Sequence, residues 1–427
     1  MRILHVVHQY PPEHTGGTEL YTQTVARRQA TSGHSVAVFY PSVEPAGEEE
    51  GALACRTDEA GVRVYSARLG ARSRTKIFLS VFASPSAERL FADVLARETP
   101  DLVHVQHLMG LPAALVDRLQ AAGVPYVVSL HDYWYRCANA QLITNTDQRV
   151  CRGPEAWLNC GACVLARGGL ENQLWLRPAL APLLAYRSRL LRLALEGAEA
   201  IIAPTAFVRD MYTSLGIPAE QITVLPLGLE MPAELSLETE RRRDGDAPAG
   251  GGPLHVVYVG SIAPQKGVHV LVEAVNALPA EAVQLSIFGS LAAYPEYVEQ
   301  LRAPALHPRI HFAGSVSREA LWPMLMETAD VLVVPSLWYE GSPAVTREAF
   351  AAGVPVVASR LGALAEQVDD GVNGLLFPAG DAKVLAATLA RLYEEPALLP
   401  RLRAGIQPVR SMAGHVAHVE RLYRSIL

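Results

Sequence analysis

The chain has 427 residues, of which 50% are hydrophobic and 19% charged, so it can bury large cores and we expect two domains. Its formal net charge of −6 argues against a general nucleic-acid binder, which would present a basic face to phosphates. No apolar run reaches the roughly 18 to 20 residues that cross a bilayer, and the first residues enter a strand instead of a signal-peptide pattern, so a cytoplasmic protein is expected.

Short apolar runs alternate with helical stretches along the first half of the chain. The first run, residues 2–7, leads through a loop into a helix that ends near Gly33. Further strands are predicted at residues 35–39, 62–66, 102–106, 126–130, 200–203 and 222–225. Repeated strand-then-helix order is typical of a mostly parallel, doubly wound sheet, so the predicted fold class is α/β.

A polar stretch separates this half from a second, similar one. Residues 234–252 are rich in Glu, Arg, Asp, Ala and Gly with almost nothing apolar, which cannot build a core and predicts a linker over 231–252. A second series of strands is then predicted at residues 254–259, 284–288, 310–312, 331–334, 356–359 and 375–377. We therefore expect two α/β domains that face each other across a cleft.

Two glycines stand in the first loop of the chain. Gly16 and Gly17 follow the first predicted strand, but their spacing is not the dinucleotide fingerprint, which needs glycines at a tighter fixed interval. Paired glycines usually mean only a tight turn. They also let a backbone approach a ligand closely, so both interpretations stay open.

A histidine follows the strand predicted at residues 126–130. His131 comes directly after the strand's carboxyl end, where ligand-binding residues gather in open α/β sheets. A histidine at such a place is also often a hydrogen-bonded packing residue. The residues alone leave both interpretations open.

Four cysteines lie within residues 136–165, which we interpret as an insertion in the first domain. Cys137, Cys151, Cys160 and Cys163 end in a Cys-x-x-Cys pair, while Cys55 stands alone. Four thiolates at these intervals could close a tetrahedral zinc site. Free buried thiols and a redox-labile disulfide are the alternatives.

The stretch from Leu174 to Leu195 carries Trp175 and many leucines together with Arg177, Arg187, Arg189 and Arg192. Basic residues beside aromatic and leucine positions could lie on a membrane surface, which would be a peripheral contact. An ordinary amphipathic helix that covers the sheet is the alternative.

Two carboxylates flank a predicted helix start after the buried strand 329–335. Ser342 suits the N-cap and Pro343 the first helical position, so the helix start should face the crevice at the strand ends and favour a phosphate. Glu348 would lie roughly 6 Å down the axis from Ala344, about one sugar's length. It could bind a ribose, while Glu340 meets the group beyond the phosphates. Acidic residues near a helix start can also merely complement its dipole.

A lysine stands just before another predicted helix in the second half. Lys266 precedes the helix over residues 267–278, where its charge opposes the helix dipole. Such a placement makes sense if an anion lies between the lysine and the helix.

The stretch EGSPAVTREAFAAGVPVVAS, residues 340–359, resembles the signature of retaining glycosyltransferases of family 4. The resemblance continues through Gly362, Glu366, DDGVNGLLFPAGD at 369–381 and VYVGSIAPQKGVHVLVEAV at 257–275. In the first half, GGTE at 16–19 and SLHDYW at 129–134 are similar to family segments. The resemblance covers most of the second half of the chain.

The resemblance implies roles for individual residues. Glu348 would bind the ribose, while His131, Glu340 and Lys266 would act at the reaction centre. The implied donor-binding residues are Gly16, Gly17, Arg209, Gly260, Ser261, Lys266, Gly289, Val316, Gly341, Ser342, Pro343, Ala344, Val345 and Glu348. The family usually has an arginine where this chain has Ser261, so either the diphosphate clamp is weaker here or another arginine, such as Arg209, completes it.

The fold that the resemblance implies is GT-B, with two Rossmann-like domains. Residues 1–230 would recognise the acceptor, 253–409 would hold a sugar nucleotide, and a helix over 410–427 would return to the first domain. We expect a retaining transfer to a hydroxyl acceptor without a catalytic metal or other cofactor, in polysaccharide, glycolipid or other glycoconjugate biosynthesis. A sugar-nucleotide epimerase or hydrolase on the same fold and a non-catalytic sugar-nucleotide binding protein are the alternatives.

Overall fold

A computed structural model describes residues 1–42, 51–70, 73–231, 252–302 and 308–427, with Arg318 described as backbone only. The chain divides into two compact units, of which the first comprises Met1–Gly228 and Met412–Leu427 and the second Leu229–Ser411. The predicted linker over 231–252 lies almost wholly outside the described residues.

The first unit is built on an eight-stranded sheet in the order β3-β4-β2-β1-β5-β6-β7-β8. Its strands are β1 (Arg2–Val6), β2 (Ser35–Ser42), β3 (Leu53–Thr57), β4 (Arg63–Arg68), β5 (Leu102–Val105), β6 (Tyr126–Ser129), β7 (Ala200–Ala203) and β8 (Ile222–Val224). All neighbours pair in parallel except β3, which runs antiparallel to β4. The sequence did not predict β3, an edge strand whose residues are mostly exposed and so lack the apolar run of a buried strand.

Helices connect these strands. They are α1 (Gly17–Thr31), α2 (Arg74–Leu79), α3 (Pro85–Glu98), α4 (Leu115–Ala121), α5 (Leu158–Arg167), α6 (Arg177–Glu196) and α7 (Ala206–Thr213). A 3-10 helix, Glu171–Leu176, joins α5 to α6. The order of strand, helix and parallel strand confirms the doubly wound interpretation.

The second unit is built on a six-stranded, wholly parallel sheet in the order β11-β10-β9-β12-β13-β14. Its strands are β9 (Leu254–Val259), β10 (Val283–Phe288), β11 (Ile310–Gly314), β12 (Val331–Val334), β13 (Val356–Ser359) and β14 (Gly374–Phe377). The helices are α8 (Val268–Asn276), α9 (Pro295–Leu301), α10 (Arg318–Thr328), α11 (Ala344–Ala351), α12 (Leu364–Gln367), α13 (Ala382–Glu394) and α14 (Leu398–Ala404). Two apolar cores cover the sheet, and β12 and β13 are buried along their whole length, as strands between two helical layers must be.

The last helix, α15 (Met412–Ile426), belongs to the first unit. Val419 and Tyr423 are fully buried in a core with Ile3 of β1 and Leu102 of β5. Helix α15 is therefore a structural part of the first sheet's cover.

Strand order reverses once in each parallel sheet, between β1 and β5 in the first unit and between β9 and β12 in the second. Open α/β sheets bind ligands outside the carboxyl ends of the strands at such a reversal. The loops after β9 and β12 carry Lys266 and Glu340, and the loops after β5 and β6 carry Gln106 and His131. Among the described residues, no helix is both long and apolar enough to cross a membrane.

Candidate active site

Glu340 forms the centre of a compact group of side chains in the second unit. Its Oε1 accepts hydrogen bonds from Lys266 Nζ at 2.8 Å, Ser336 Oγ at 2.7 Å and Trp338 Nε1 at 2.8 Å. The ammonium of Lys266 also lies 5.1 Å from the centroid of the Trp338 ring. Hydrogen bonds to a charged group are the strong ones, so the carboxylate of Glu340 is fixed in position and orientation.

A glycine brings Lys266 to Glu340. Gly267 has φ +70°, and a Cβ there would lie 2.0 Å from the carbonyl oxygen of Pro335. The loops after β9 and β12 touch at this point, where the amide of Leu337 also donates to the carbonyl of Gln265 at 2.9 Å. Only a residue without a side chain allows this contact, which holds the lysine beside the carboxylate.

The start of α11 differs from the sequence prediction. Pro343 is the N-cap, with extended backbone and no side-chain cap, and the helix begins at Ala344, so the assignment of Ser342 as N-cap was wrong. The Oγ of Ser342 instead accepts hydrogen bonds from the guanidinium of Arg347 and, at 3.0 Å, from Nε2 of Gln367. The hydroxyl oxygen therefore accepts from side chains, one of them on α11 itself, and does not cap the backbone amides of the helix.

The two hydrogen bonds on Ser342 restrict what its hydroxyl can do. A hydroxyl oxygen has two acceptor lone pairs and one O–H donor. Because Arg347 and Gln367 donate to both lone pairs of the oxygen, the Ser342 hydroxyl can form a further hydrogen bond only as a donor. It lies beside the first turn of α11, which has no side-chain cap. Such a turn presents backbone N–H groups and the positive end of the helix dipole, which together favour an anion.

Glu348 lies within α11 and is buried. Its neighbour Arg347 is mostly buried as well, and this burial lowers the pKa of the guanidinium to about 10, although the charge of Glu348 raises it. Both side chains are therefore held inside the second unit.

Further residues predicted to bind the donor lie at the ends of β9, β10 and β11. Gly289 approaches Gly260 so closely that a Cβ on Gly289 would lie 2.2 Å from the carbonyl oxygen of Gly260. The carbonyl of Ser261 accepts a hydrogen bond from the Tyr258 hydroxyl at 2.7 Å. Val316 packs against the apolar core that also includes β12. These residues belong to the same edge of the second sheet as Lys266.

In the first unit, His131 lies at the end of a buried hydrogen-bonded chain. Its Nε2 is 2.8 Å from Oε1 of Gln106, and Nε2 of Gln106 is 3.2 Å from Nδ1 of His5 and 3.1 Å from Nδ1 of His104. Because the Gln106 oxygen can only accept, Nε2 of His131 carries the hydrogen. Its Nδ1 is then the acceptor nitrogen.

His131 is a neutral imidazole at physiological pH. Burial and, to a smaller extent, the neighbouring His107 lower its pKa to about 3, although Asp132 opposes the shift. A neutral ring with a fixed tautomer can accept a hydrogen bond from a hydroxyl group.

Gly16 and Gly17 lie at the start of α1, and Gly16 is its N-cap. A Cβ on Gly16 would lie 2.5 Å from Oε2 of Glu19, whose other oxygen is 3.2 Å from Nε2 of His8. Gly17 has open space around its Cα. Arg209, on α7, pairs with its neighbour Asp210 at 2.8 Å.

The zinc site proposed for Cys137, Cys151, Cys160 and Cys163 is not supported. Among the residues that the structure describes, no group of three or more His, Cys, Asp or Glu side chains could hold a metal ion. The Sγ of Cys163 instead accepts hydrogen bonds from Asn139 Nδ2 at 2.8 Å and from the Asn145 amide at 3.3 Å. Burial also raises the pKa of the Cys160 thiol to about 12.

Sequence reasoning missed five residues that hold these groups in place. They are Gln106, Ser336, Trp338, Arg347 and Gln367. Trp338 and Ser336 precede Glu340 by two and four residues, so a search of the loop for hydrogen-bond donors could have found them. Arg347 lies five residues after Ser342, whereas Gln106 and Gln367 each act across 25 residues, a distance that only the fold closes.

Two family profiles match the chain. The profile of "Glycosyl transferases group 1" matches residues 253–395, and that of "Glycosyl transferase 4-like domain" matches residues 16–228. A glycogen synthase of Mycobacterium tuberculosis is 28% identical over 94% of this chain and 88% of its own length. An MMP alpha-(1->4)-mannosyltransferase of Mycolicibacterium hassiacum is 26% identical over 91% of this chain and 89% of its own length.

Solved structures share the fold. Sucrose-phosphate synthase from Thermosynechococcus elongatus superposes with a TM-score of 0.71 at 22% identity and covers 99% of this chain and 98% of its own. The Anabaena protein HepE, solved with UDP and glucose, has a TM-score of 0.64 at 19% identity and covers all of both chains. At these identities the likeness establishes the architecture alone.

Proposed function

Because the chain belongs to glycosyltransferase family 4 and has the GT-B fold, we propose that it transfers a sugar from a nucleoside diphosphate sugar to a hydroxyl acceptor with retention at the anomeric carbon. The observation that carries this proposal is the group around Glu340. One oxygen of this carboxylate accepts hydrogen bonds from Lys266, Ser336 and Trp338. The carboxylate precedes the start of α11, which has no side-chain cap.

The second unit supplies the groups that a departing diphosphate needs. Negative charge grows on the leaving phosphate in the transition state, and prearranged donors stabilise such charge most effectively. The first turn of α11, the hydroxyl of Ser342 and the ammonium of Lys266 are such donors. We therefore propose a transfer that needs no catalytic metal ion.

We assign the ribose to Glu348 and the transferring sugar to Glu340 and His131. Glu340 would face the sugar where positive charge develops, and the neutral His131 would accept a hydrogen bond from a sugar hydroxyl. The leaving phosphate would take the proton of the acceptor hydroxyl, so front-face attack needs no separate protein base.

UDP-glucose is the first donor to test, because HepE was solved with UDP-glucose and a sucrose-phosphate synthase shares the fold. A ligand at about one hundred times its Kd stabilises a protein by about 2.7 kcal/mol, so UDP-, GDP-, ADP- and dTDP-sugars can be ranked by thermal shift. The base and sugar that stabilise the protein most would identify the donor.

The reaction itself is tested with the donor identified in this way and a panel of hydroxyl acceptors. NMR of the anomeric proton should show the donor's own configuration in the product, with equal rates in the presence and absence of a chelator. An altered sugar nucleotide without acceptor would indicate an epimerase, and free sugar would indicate a hydrolase. Inversion, or a rate that vanishes with chelator, would contradict the proposal.

A further inference from the structure

Helix α6 has two apolar faces. Leu184, Leu191 and Leu195 are buried against the first unit, as expected of a helix that covers a sheet. The opposite face should then be polar. Instead, Tyr186 is 53% exposed and Leu193 is 52% exposed, seven residues apart on one side of the helix.

Exposed apolar side chains continue beyond α6. Trp175, in the 3-10 helix before α6, is 75% exposed, and Leu170 and Leu174 are exposed beside it in sequence. Helix α2 adjoins this region, because the Phe82 ring that follows it stacks on Tyr186 with centroids 5.9 Å apart. We call this set the Trp175 surface, and its apolar members are Leu79, Leu170, Leu174, Trp175, Tyr186 and Leu193.

The Trp175 surface is basic, although the whole chain is acidic. Residues 158–193 contain five arginines and one glutamate in a chain with a formal net charge of −6. Arg187 is buried and Arg192 pairs with Glu196. The arginines of this stretch that give the surface its positive charge are therefore Arg167, Arg177 and Arg189. Arg177 and Arg189 are exposed on α6, and Arg74 and Lys76 are exposed on α2. Arg74 also links α2 to α5, because its guanidinium donates to the carbonyl of Arg167 at 3.3 Å.

We propose that the Trp175 surface docks on a bilayer that contains anionic lipids. Trp and Tyr favour the headgroup level, leucines gain free energy when they leave water, and arginines and lysines are attracted to anionic headgroups. A second copy of the chain fits less well, because two basic surfaces repel each other. The proposal concerns where the enzyme works, so it stands or falls separately from the reaction proposed above.

The test uses the full chain and sedimentation with vesicles. Vesicles of phosphatidylcholine with phosphatidylglycerol should bind the protein, vesicles of phosphatidylcholine alone should bind it much less, and added salt should weaken binding. The variant Trp175→Ser should lower binding about tenfold through lost apolar burial. The variant Arg189→Gln should lower it about fivefold, because one basic residue near the surface is worth about 1 kcal/mol.

Matched controls lie in the second unit. Tyr393→Ser and Lys383→Gln change an exposed aromatic and an exposed cation on α13 and should leave binding unchanged. Anionic vesicles should also shift tryptophan emission of the wild-type protein to shorter wavelength, and Trp175→Phe should remove that shift. The melting temperature and the far-UV circular dichroism of each variant should match those of the wild type, which excludes misfolding as the cause.

Three results would overturn the proposal. The first is equal binding, or none, on both kinds of vesicle. The second is an equal loss in the second-unit controls. The third is a concentration-dependent dimer in the absence of lipid that Trp175→Ser abolishes in ultracentrifugation, which would make the Trp175 surface an interface between copies.

Discussion

A single oxygen of Glu340 accepts three hydrogen bonds, which makes this side chain the best fixed group of the candidate site. If Glu340 faces the transferring sugar, its contribution grows in the transition state. Glu340→Gln should then lower kcat and leave the affinity for free nucleoside diphosphate nearly unchanged. Loss of a charged hydrogen-bond partner costs on the order of 1.5–3 kcal/mol, or roughly tenfold to a hundredfold in rate.

Glu348→Gln is the matched comparison on α11. A ribose contact is made equally in the ground and transition states, so this variant should weaken donor and free nucleotide alike by a similar factor and leave kcat nearly unchanged. Calorimetric titration with nucleotide and initial rates separate the two variants. If Glu340→Gln abolished nucleotide binding while Glu348→Gln left it intact, the direction of the donor along α11 would be reversed.

The hydroxyl of Ser342 yields a second prediction at this scale. Gln367→Leu removes one of the two donors that hold the hydroxyl, and should weaken nucleoside diphosphate binding by about 1 kcal/mol. In a Ser342→Ala background the same change should have no further effect, because Gln367 acts through that hydroxyl. Calorimetry on the four proteins of this cycle measures the coupling. If the losses of binding free energy in Gln367→Leu and Ser342→Ala added up in the double variant, Gln367 would only support the local fold.

Much of this site could be predicted from the sequence, because its main residues stand in short-range patterns. Glu340 and Lys266 were chosen from their places before predicted helices, and the structure joins them in one ion pair. Their contact depends on Gly267, which meets Pro335 across 68 residues, and no local pattern shows that approach. The prediction of Ser342 as the N-cap was wrong for the same reason, because Gln367, 25 residues away in sequence, donates a hydrogen bond to its hydroxyl oxygen.

Polar side chains join four elements of the first unit at their buried faces. His5 on β1 lies opposite His104 on β5, and Gln106 donates to both rings. The Tyr423 hydroxyl of α15 is hydrogen-bonded to Nδ1 of His104, and Nε2 of His104 is hydrogen-bonded to Ser129 on β6. These bonds need neutral imidazoles, because Nδ1 of each ring accepts.

Acid should therefore weaken this part of the fold. Burial lowers the pKa of His5 to about 4, although its hydrogen bond to Gln29 raises it. Between pH 6.5 and 4 the unfolded chain binds more protons than the folded one, so stability falls as pH falls, by up to about 3 kcal/mol for His5. Hydrogen exchange of amides in β1 and β5 measures this loss.

The slope of the stability of β1 and β5 against pH identifies the histidine responsible for the loss. His5→Asn should flatten it, whereas His418→Asn, at an exposed position of α15, should leave it unchanged. Protection in β1 and β5 that does not vary between pH 7 and 4 would contradict the prediction.

At the level of elements, the sequence predicted the buried strands well because their apolar runs are short and continuous. The structure places β9, β12 and β13 over the predicted residues. Strand β3 escaped prediction because it is an exposed edge with Cys55 at its centre. The cysteine segment was interpreted as a metal site because spacing alone does not show which sulfurs already accept hydrogen bonds from amides.

At the scale of the whole molecule, α15 completes the cover of the first unit. A chain that stops after Ser411 would expose the faces of Ile3, Leu102 and Val127 that Val419 and Tyr423 bury. Each such side chain is worth about 1.5–3 kcal/mol when buried, so the first unit should lose about 5 kcal/mol or more. Hydrogen exchange should then show lost protection in β1 and β5 and unchanged protection in β9 and β12.

Tyr423→Phe is the mild counterpart of this truncation. It keeps the buried ring and removes the hydroxyl that hydrogen-bonds to His104, so the first unit should lose about 1 kcal/mol. Equal loss of protection in both units after truncation would contradict the assignment of α15 to the first unit.

The membership of α15 also bears on how the chain is made. The second unit is one continuous stretch, Leu229–Ser411, whereas the first needs both ends of the chain. On a ribosome, strands β1 to β8 emerge first and must wait for the final sixteen residues, Met412–Leu427, before their apolar face is covered. During this delay the nascent first unit is the part that a chaperone would protect, and the second unit can reach its native structure before it.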